Sequence, residues 1–304
     1  MLGSLADSSL KQYDVCYKQW FNFCVQNSLD FYATSITDVL RFLTMHFDAG
    51  TKYSSLNSFR AALSLILGSS VSKDDRIVRF FKGVFRLRPP MPRYNLTWDT
   101  SCVLSHLATC YPNETLLLDQ LSKKCITLLA LVTAHRVQTF SKINIKNIEI
   151  KPNEIIIKIP DLVKTSKKGT NQPLLVLPYF LQKREICPAQ TLVDYIDKTS
   201  LLRKDETLFI GCKKPHKAAT TQTLCRWIKN TLHASGIDVS IFSAHSTRHA
   251  STSKAHQLGV NIDLIRKTAG WSNNSDTFFK FYQRNITKYD PSVLARAIIN
   301  NADD

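Results

Sequence analysis

Two arginines, a histidine, an indole and a phenol stand in this chain in an order that suits chemistry at a phosphodiester. The run Ala244-His245-Ser246-Thr247-Arg248-His249 is followed by Ala269-Gly270-Trp271 and then by Phe281-Tyr282. Arg136 lies far upstream, inside the apolar run Leu128 to Val137. An arginine offers a planar fork that pairs bidentately with phosphate oxygens. Trp271 offers a single N–H donor, and Tyr282 a hydroxyl that can attack as a nucleophile. Together they could grip non-bridging oxygens and open the diester with a phenolic oxygen.

Each residue also has a plain structural reading. Arg136 reads as a basic residue at a helix C-terminus, favourable to the helix dipole. His245 and Arg248 read as incidental charges on a capped surface helix. Their i, i+3 spacing puts both side chains on one face, and a helix start attracts phosphate through its free N–H groups. Gly270 reads as a glycine C-cap and Trp271 as a core indole. Tyr282 follows Phe278, Phe279 and Phe281 and reads as one more core aromatic, with Tyr289 close by as a competitor for its role. Lys164, Lys167 and Lys168 read as a solvated turn, or as a mobile hairpin that carries an ammonium into a site as general acid. A zinc site from His245, His249 and His256 lacks an accompanying acid or thiolate. The functional reading gains its weight from the conjunction.

The elements that must position these residues follow from periodicity. In the first part, Ser8-Ser9 can cap a helix in which Leu10, Tyr13, Tyr17, Trp20, Phe21 and Cys24 recur at helical spacing. Ser35 precedes a second helix with Val39, Leu40, Leu43 and Phe47 on one stripe, ended by Gly50. A third begins at Tyr53 and carries Leu56, Phe59, Leu63 and Ile66, with Arg60 on another face. A fourth spans Lys73 to Arg86, with Ile77, Phe80, Phe81 and Val84 inward and Arg76, Arg79, Lys82 and Arg86 outside. Arg88-Pro89-Pro90-Met91-Pro92-Arg93 cannot continue a helix. It reads as a linker whose Arg88 and Arg93 could follow a phosphate backbone.

The second part is mixed. Helices are expected over Val103 to Cys110 and Leu116 to Ala134. Three short β-rich runs follow, Asn147 to Ile150, Ile155 to Ile159 and Leu174 to Leu177, and make a small antiparallel sheet. The lysine-rich segment Lys164 to Thr170 joins the second and third. Helices resume near Pro188, at Thr221 to His233, at Arg248 to Leu258 and at Asn261 to Ala269. Arg226 and Lys229 add basic charge on one of them, beside Lys213, Lys214 and Lys217 just before it.

Composition sets the partner class. The 304 residues hold 40 basic and 24 acidic side chains, a net charge of +16. Such an excess points to a polyanion, nucleic acid or an anionic membrane. No apolar run reaches the roughly 18 residues of a spanning helix, which disfavours a membrane. The N-terminus lacks the basic and apolar regions of a signal peptide. Eight cysteines without a C-x-x-C pair read as reduced, mostly buried thiols, and no metal cluster is expected.

Taken jointly, the order Arg … His-x-x-Arg … Gly-Trp … Tyr resembles the tyrosine recombinase, or phage integrase, family over most of the chain. Ala134-His135-Arg136-Val137-Gln138-Thr139, Val163-Lys164-Thr165-Ser166 and Gly270-Trp271-Ser272 with Lys280-Phe281-Tyr282 carry a nearer likeness to eukaryotic mobile-element enzymes of the Crypton and DIRS type. The resemblance implies an all-α DNA-binding domain over residues 1–88, a linker over 89–98 and a catalytic domain over 99–304. The catalytic domain would be α+β, mostly helical with a small antiparallel sheet.

The resemblance further implies a clamp on duplex DNA. Arg136, His245, Arg248 and Trp271 would surround the scissile phosphate, Lys164 would protonate the leaving 5′ oxygen and Tyr282 would attack. It implies no cofactor and no metal, a homotetramer on paired DNA sites, and a nuclear location in a eukaryote or a cytoplasmic one otherwise. Expected DNA contacts are Arg60, Arg76, Arg79, Arg88, Arg93, Lys167, Lys168, Arg226 and Lys229. Two departures stand out. Thr139 occupies a place where many members carry an acid, and the usual nine-residue gap from Trp271 to the nucleophile lands on Lys280, two before Tyr282. Two other functions share these features: a catalytically inactive, domesticated DNA-binding protein of the same fold, and a type IB topoisomerase-like relaxing enzyme.

Overall fold

The structure, a computed structural model, describes residues 2–91, 94–163, 166 and 172–271. The chain divides into two compact units, Met1–Pro92 and Arg93–Asp304. The boundary falls within the proline-rich stretch.

Unit 1 is helical. It comprises α1 (Asp7–Gln26), α2 (Ile36–Asp48), α3 (Tyr53–Ile66), a single turn α4 (Ser70–Lys73) and α5 (Asp75–Leu87). Ser35 caps α2 by accepting from the Asp38 amide, as its position suggests. Ser8 and Ser9 do not cap α1. That helix begins at Asp7 after an extended Ala6, with no side-chain cap. The helix expected over Lys73 to Arg86 is broken at Asp74. This residue is extended and caps α5 by accepting from the Arg76 amide, because a short acidic side chain satisfies free helix N–H groups better than it continues a helix.

The core of unit 1 gathers Cys16, Trp20, Phe23 and Cys24 from α1, Val39, Phe42 and Leu43 from α2, Leu56, Phe59 and Leu63 from α3, and Ile77, Phe81 and Val84 from α5. Phe21, expected inward, is 55% exposed and Phe23 takes its place. The Trp20 and Phe42 rings meet edge to face at 5.1 Å, a favoured aromatic geometry.

Unit 2 is built around α7 (Leu118–Thr133), which is buried over most of its length. An all-round apolar helix must be covered on every side. It is covered by α9 (Pro188–Thr199), α10 (Thr221–Ala234) and α11 (Ser246–Gln257). Among the described residues, the other α-helices are α6 (Thr100–Thr109), the turn α8 (Val137–Phe140) and α12 (Ile262–Thr268). Strands β1 (Ile148–Ile150), β2 (Glu154–Lys158) and β3 (Leu174–Pro178) form an antiparallel sheet in that order. Ile155 pairs with Leu177 and Ile157 with Leu175, so these four face the core. The expected all-α part followed by an α+β part is what the structure shows. No described helix is long and apolar enough to cross a membrane.

Candidate active site

The site grows from the ends of α7 and α12 and the start of α11. At the end of α7, Ala134 takes a left-handed conformation, φ 49°. A non-glycine residue there costs about 1–2 kcal/mol. Its methyl group is buried in a cluster with Ile265, Ala269 and Trp271. The reversal stops the helix, so Arg136 is not a C-terminal residue of α7. It is the extended N-cap of α8, with its carbonyl accepting from the Thr139 amide at 2.8 Å. Its side chain is half-buried, and Thr139 is buried at 3% exposure.

Arg248 lies one turn into α11 and is 2% exposed. Its guanidinium sits over the Trp271 ring, 4.1 Å from the centroid, and donates through Nη2 to the Ala269 carbonyl at 3.2 Å. The cation–π contact and the carbonyl fix the plane of the fork. Charges set in a low-dielectric surround act more strongly on a developing anion than charges in water. His245 is the N-cap of the same helix, and its carbonyl accepts from the Arg248 amide at 3.2 Å. The expected i, i+3 turn is present, but the two side chains do not share an environment. His245 is exposed at the point where the chain enters the helix, whereas Arg248 lies where α11 packs on α7.

Gly270, φ 71°, follows α12, and the Trp271 amide donates back to the Arg266 carbonyl at 2.9 Å. This is the glycine helix stop expected from sequence. Glycine is needed for a second reason. A Cβ at position 270 would lie 3.1 Å from Cε1 of His135. Trp271 is 7% exposed, so it is a core indole as well as a candidate phosphate donor.

His135 was not singled out by the sequence reading. It is 6% exposed and in hydrogen-bond contact with the Thr268 backbone. Burial, then the charges of Arg248 and Arg136, push its pKa down from the ordinary 6.5 to about 4. The charges of Arg248 and of Arg136, the next residue in the chain, both contribute to that lowering. No local sequence signal pointed to His135, since Ala134-His135 reads as the tail of an apolar helix. A consequence is testable. Between about pH 6.5 and 4 the unfolded chain binds a proton at His135 that the folded chain does not. Stability from this group is complete above pH 6.5 and is lost as pH falls toward 4. The wild type should lose about 3 kcal/mol more than His135→Gln between pH 7 and 4, at 1.36 kcal/mol per pKa unit. Denaturant titrations across that range check it, and parallel curves for the two proteins would contradict it.

The other expected residues are distributed as follows. In unit 1, Arg60 stacks over Phe81 at 4.6 Å and lines a groove of about 350 Å³ with Tyr53, Lys82, Phe85 and Arg86. Arg79 is exposed. Arg76 engages its fork with Asp74, Nε and Nη2 each 3.0 Å from a carboxylate oxygen. Arg88 turns inward, donating through Nη1 to the Phe47 and Thr51 carbonyls, both at 3.1 Å, and stacking on Phe47. It secures the end of α2, a structural role that the linker reading did not anticipate. In unit 2, Arg226 and Lys229 are exposed on α10. Arg93, Lys164, Lys167, Lys168, Tyr282 and Tyr289 lie outside the described residues. Among the described residues, no group of three or more His, Cys, Asp or Glu could hold a metal ion.

The fold has solved relatives. The chain is similar to lambda integrase residues 75–356, in a dimer bound to a COC′ core site, at 17% identity and a TM-score of 0.57, covering 94% of this chain and 91% of that one. It is similar to the XerH site-specific recombinase bound to a palindromic difH substrate, at 16% identity and a TM-score of 0.59, covering 87% and 72%. It is also similar to the Tn1549 transposon integrase with circular intermediate DNA, at 14% identity and a TM-score of 0.55, covering 88% and 85%. At these identities the likeness shows the fold. No curated protein matches the sequence. The family model described as the phage integrase family matches residues 111–288, a span that includes Arg136, His245, Arg248, Trp271 and Tyr282. The chain belongs to the phage integrase family.

Proposed function

We propose that the chain is a site-specific DNA recombinase that cleaves and rejoins duplex DNA through a 3′-phosphotyrosine. The observation that carries the reading is the fixed Arg248–Trp271 pair, with Arg136 and Arg248 both bearing on His135. In the proposed reaction Tyr282 gives up its phenolic proton to solvent, and the phenolate oxygen forms a bond to the scissile phosphorus. The bond from phosphorus to the 5′ oxygen breaks, and Lys164 gives that oxygen a proton. Arg136, Arg248, His245 and Trp271 hold the non-bridging oxygens while negative charge grows on them. The phosphodiester energy is kept in the tyrosyl ester, so the reverse step rejoins the strand without nucleotide.

The exposed basic residues Arg79, Arg226 and Lys229 and the Arg60 groove are proposed as backbone contacts, with Arg93, Lys167 and Lys168 added from sequence. Solved relatives bound to DNA as dimers and as a tetramer support a homo-oligomer on paired duplex sites. The affinity with Crypton- and DIRS-type mobile-element enzymes is part of this proposal. So is nuclear placement in a eukaryotic host, or cytoplasmic placement otherwise. A second reading, a non-catalytic DNA-binding protein of the same fold, is favoured by one feature, the neutral Thr139.

The two readings separate on a nicked suicide duplex that carries the target site, with chelator in excess. Two arginines can neutralise the transition state in place of a metal ion, so adduct formation should be unchanged by chelator. Activity that vanishes in chelator and returns with Mg²⁺ or Mn²⁺ would contradict the mechanism. A duplex that is bound but never modified would favour the second reading.

A further inference from the structure

The segment that follows the proline-rich stretch is fastened to the helix that carries His245 and Arg248. Tyr94 and Trp98 are each 6% exposed. The Tyr94 hydroxyl lies 2.8 Å from Ser243 Oγ and accepts from the Ser243 amide at 3.1 Å. Its ring packs on Phe242 at 5.3 Å and meets the His249 ring edge to face at 5.2 Å. Trp98 donates through Nε1 to Ser246 Oγ at 2.9 Å, and that hydroxyl donates in turn to the Ser243 carbonyl at 2.7 Å. Asp99 caps α6 with one carboxylate oxygen, accepting from the Ser101 amide at 2.9 Å, and binds Lys254 with the other at 3.1 Å.

These contacts converge on Phe242, Ser243, Ser246 and His249, with Lys254 further along. Ser243 and Ser246 bracket His245, and Lys254 lies further along the same helix. Ser246 is fully buried, so its hydroxyl must have a donor and an acceptor, and Trp98 and the Ser243 carbonyl supply both. Within α11, the Ser246 and Thr247 hydroxyls donate back to the Ser243 and Ala244 carbonyls at 2.7 and 2.8 Å, and residues 94–99 add ties from outside the helix. His245 has no side-chain bond to a free amide of the first turn, and the cap lacks the usual Ser, Thr, Asp or Asn. The fastening from residues 94–99 does the work that a capping side chain does elsewhere.

We propose that Tyr94, Trp98 and Asp99 are positioning residues for strand cleavage, holding the turn from Phe242 to His249 so that His245 and Arg248 meet the scissile phosphate in register. This rests on the proposed reaction. A shift of about 1 Å in a catalytic group can cost on the order of 10²-fold in rate, and Tyr94 and Trp98 bond the two serines that flank His245. Asp99 adds a second tie through Lys254, so that the start of α6 and the body of α11 move together.

The test measures single-turnover cleavage of the nicked suicide duplex and, separately, the equilibrium affinity for the same duplex. Trp98→Phe replaces the indole by a smaller aromatic ring and removes the N–H, and Tyr94→Phe removes one oxygen. Each should slow cleavage about tenfold or more while the Kd stays within about twofold. Ser246→Ala should match Trp98→Phe, and the double variant should lose no more than either single one. Assays run well below the melting temperature of each variant, measured in parallel. Should Trp98→Phe be too unstable to assay, Tyr94→Phe with Ser243→Ala forms the same cycle. Unchanged rates in folded variants would overturn the proposal. So would losses that add fully in the double variant, or a rate loss matched by an equal loss of affinity. A wild-type protein that forms no adduct would instead overturn the underlying reaction.

Discussion

A Tyr282→Phe variant should bind duplex DNA as tightly as the wild type and form no adduct that resists detergent. The substitution removes one oxygen and keeps the ring, so packing is preserved. A free phenol, with a pKa of about 10, is a poor nucleophile at neutral pH. It becomes competent where positive charge favours the phenolate, and Arg136 and Arg248 supply that charge in the proposed site. The spacing from Trp271 puts Tyr282 two positions beyond the usual place, and Tyr289 is the other tyrosine nearby. Tyr289→Phe should therefore retain the adduct. Gel shift reports the binding and a denaturing gel reports the covalent complex. A reversal of the two results would transfer the nucleophile to Tyr289, and adducts from both variants would remove either tyrosine as sole nucleophile.

Replacing either arginine by lysine should cost on the order of 10²–10³-fold in cleavage rate, the scale of losing one preorganised donor to a transition state. Arg248→Lys keeps the charge and loses three things that the structure displays: the fork, the stack on Trp271 and the plane fixed by the Ala269 carbonyl. Arg136→Lys likewise keeps the charge and loses the fork. Binding should change far less than rate, because one phosphate contact among many contributes little to duplex affinity, whereas in the proposed site these side chains hold the reacting phosphate. Single-turnover rates beside equilibrium titrations make the comparison. Near-normal cleavage by either variant would remove that arginine from the site.

The helices and strands were readable because burial imposes period: 3.6 residues in α2 and α5, and 2 in the pair β2–β3. Ser35 announced its cap and Gly270 its stop by residue type alone. What could not be read depends on residues distant in the chain. Asp74 breaks a continuous apolar pattern with a cap that competes against the helix. Ala134 adopts a conformation that ordinary propensity assigns to glycine, and its methyl group is buried in a cluster with Trp271, more than 130 residues away. Lys124, inside the buried helix, is 1% exposed and is satisfied by the Cys110 carbonyl and Asn113 at 2.6 and 2.8 Å. Arg88 looked like a phosphate contact because its exposed neighbours are prolines, and it proved to hold the end of α2.

The site divides in the same way. The order of Arg136, His245, Arg248 and Trp271 was legible, as was the glycine beside the indole. The burial of Arg248, the exposure of His245 and the burial of His135 were not. Each depends on how α11 and α12 lie against the end of α7, which no local pattern encodes. The fastening of residues 94–99 to α11 was hidden for the same reason. In sequence it belongs to a linker, and only the fold shows Tyr94 and Trp98 buried beside Ser243 and Ser246.

The central claim is covalent catalysis by a tyrosine on duplex DNA. The most direct measurement incubates the full chain with a nicked suicide duplex of its target site, digests the trapped complex and identifies the modified peptide by mass spectrometry. The expected product is a nucleotide ester on the peptide that contains Tyr282, with a free 5′ hydroxyl on the released strand. A 5′-linked adduct, a modified residue other than tyrosine, or cleavage without any adduct would contradict it.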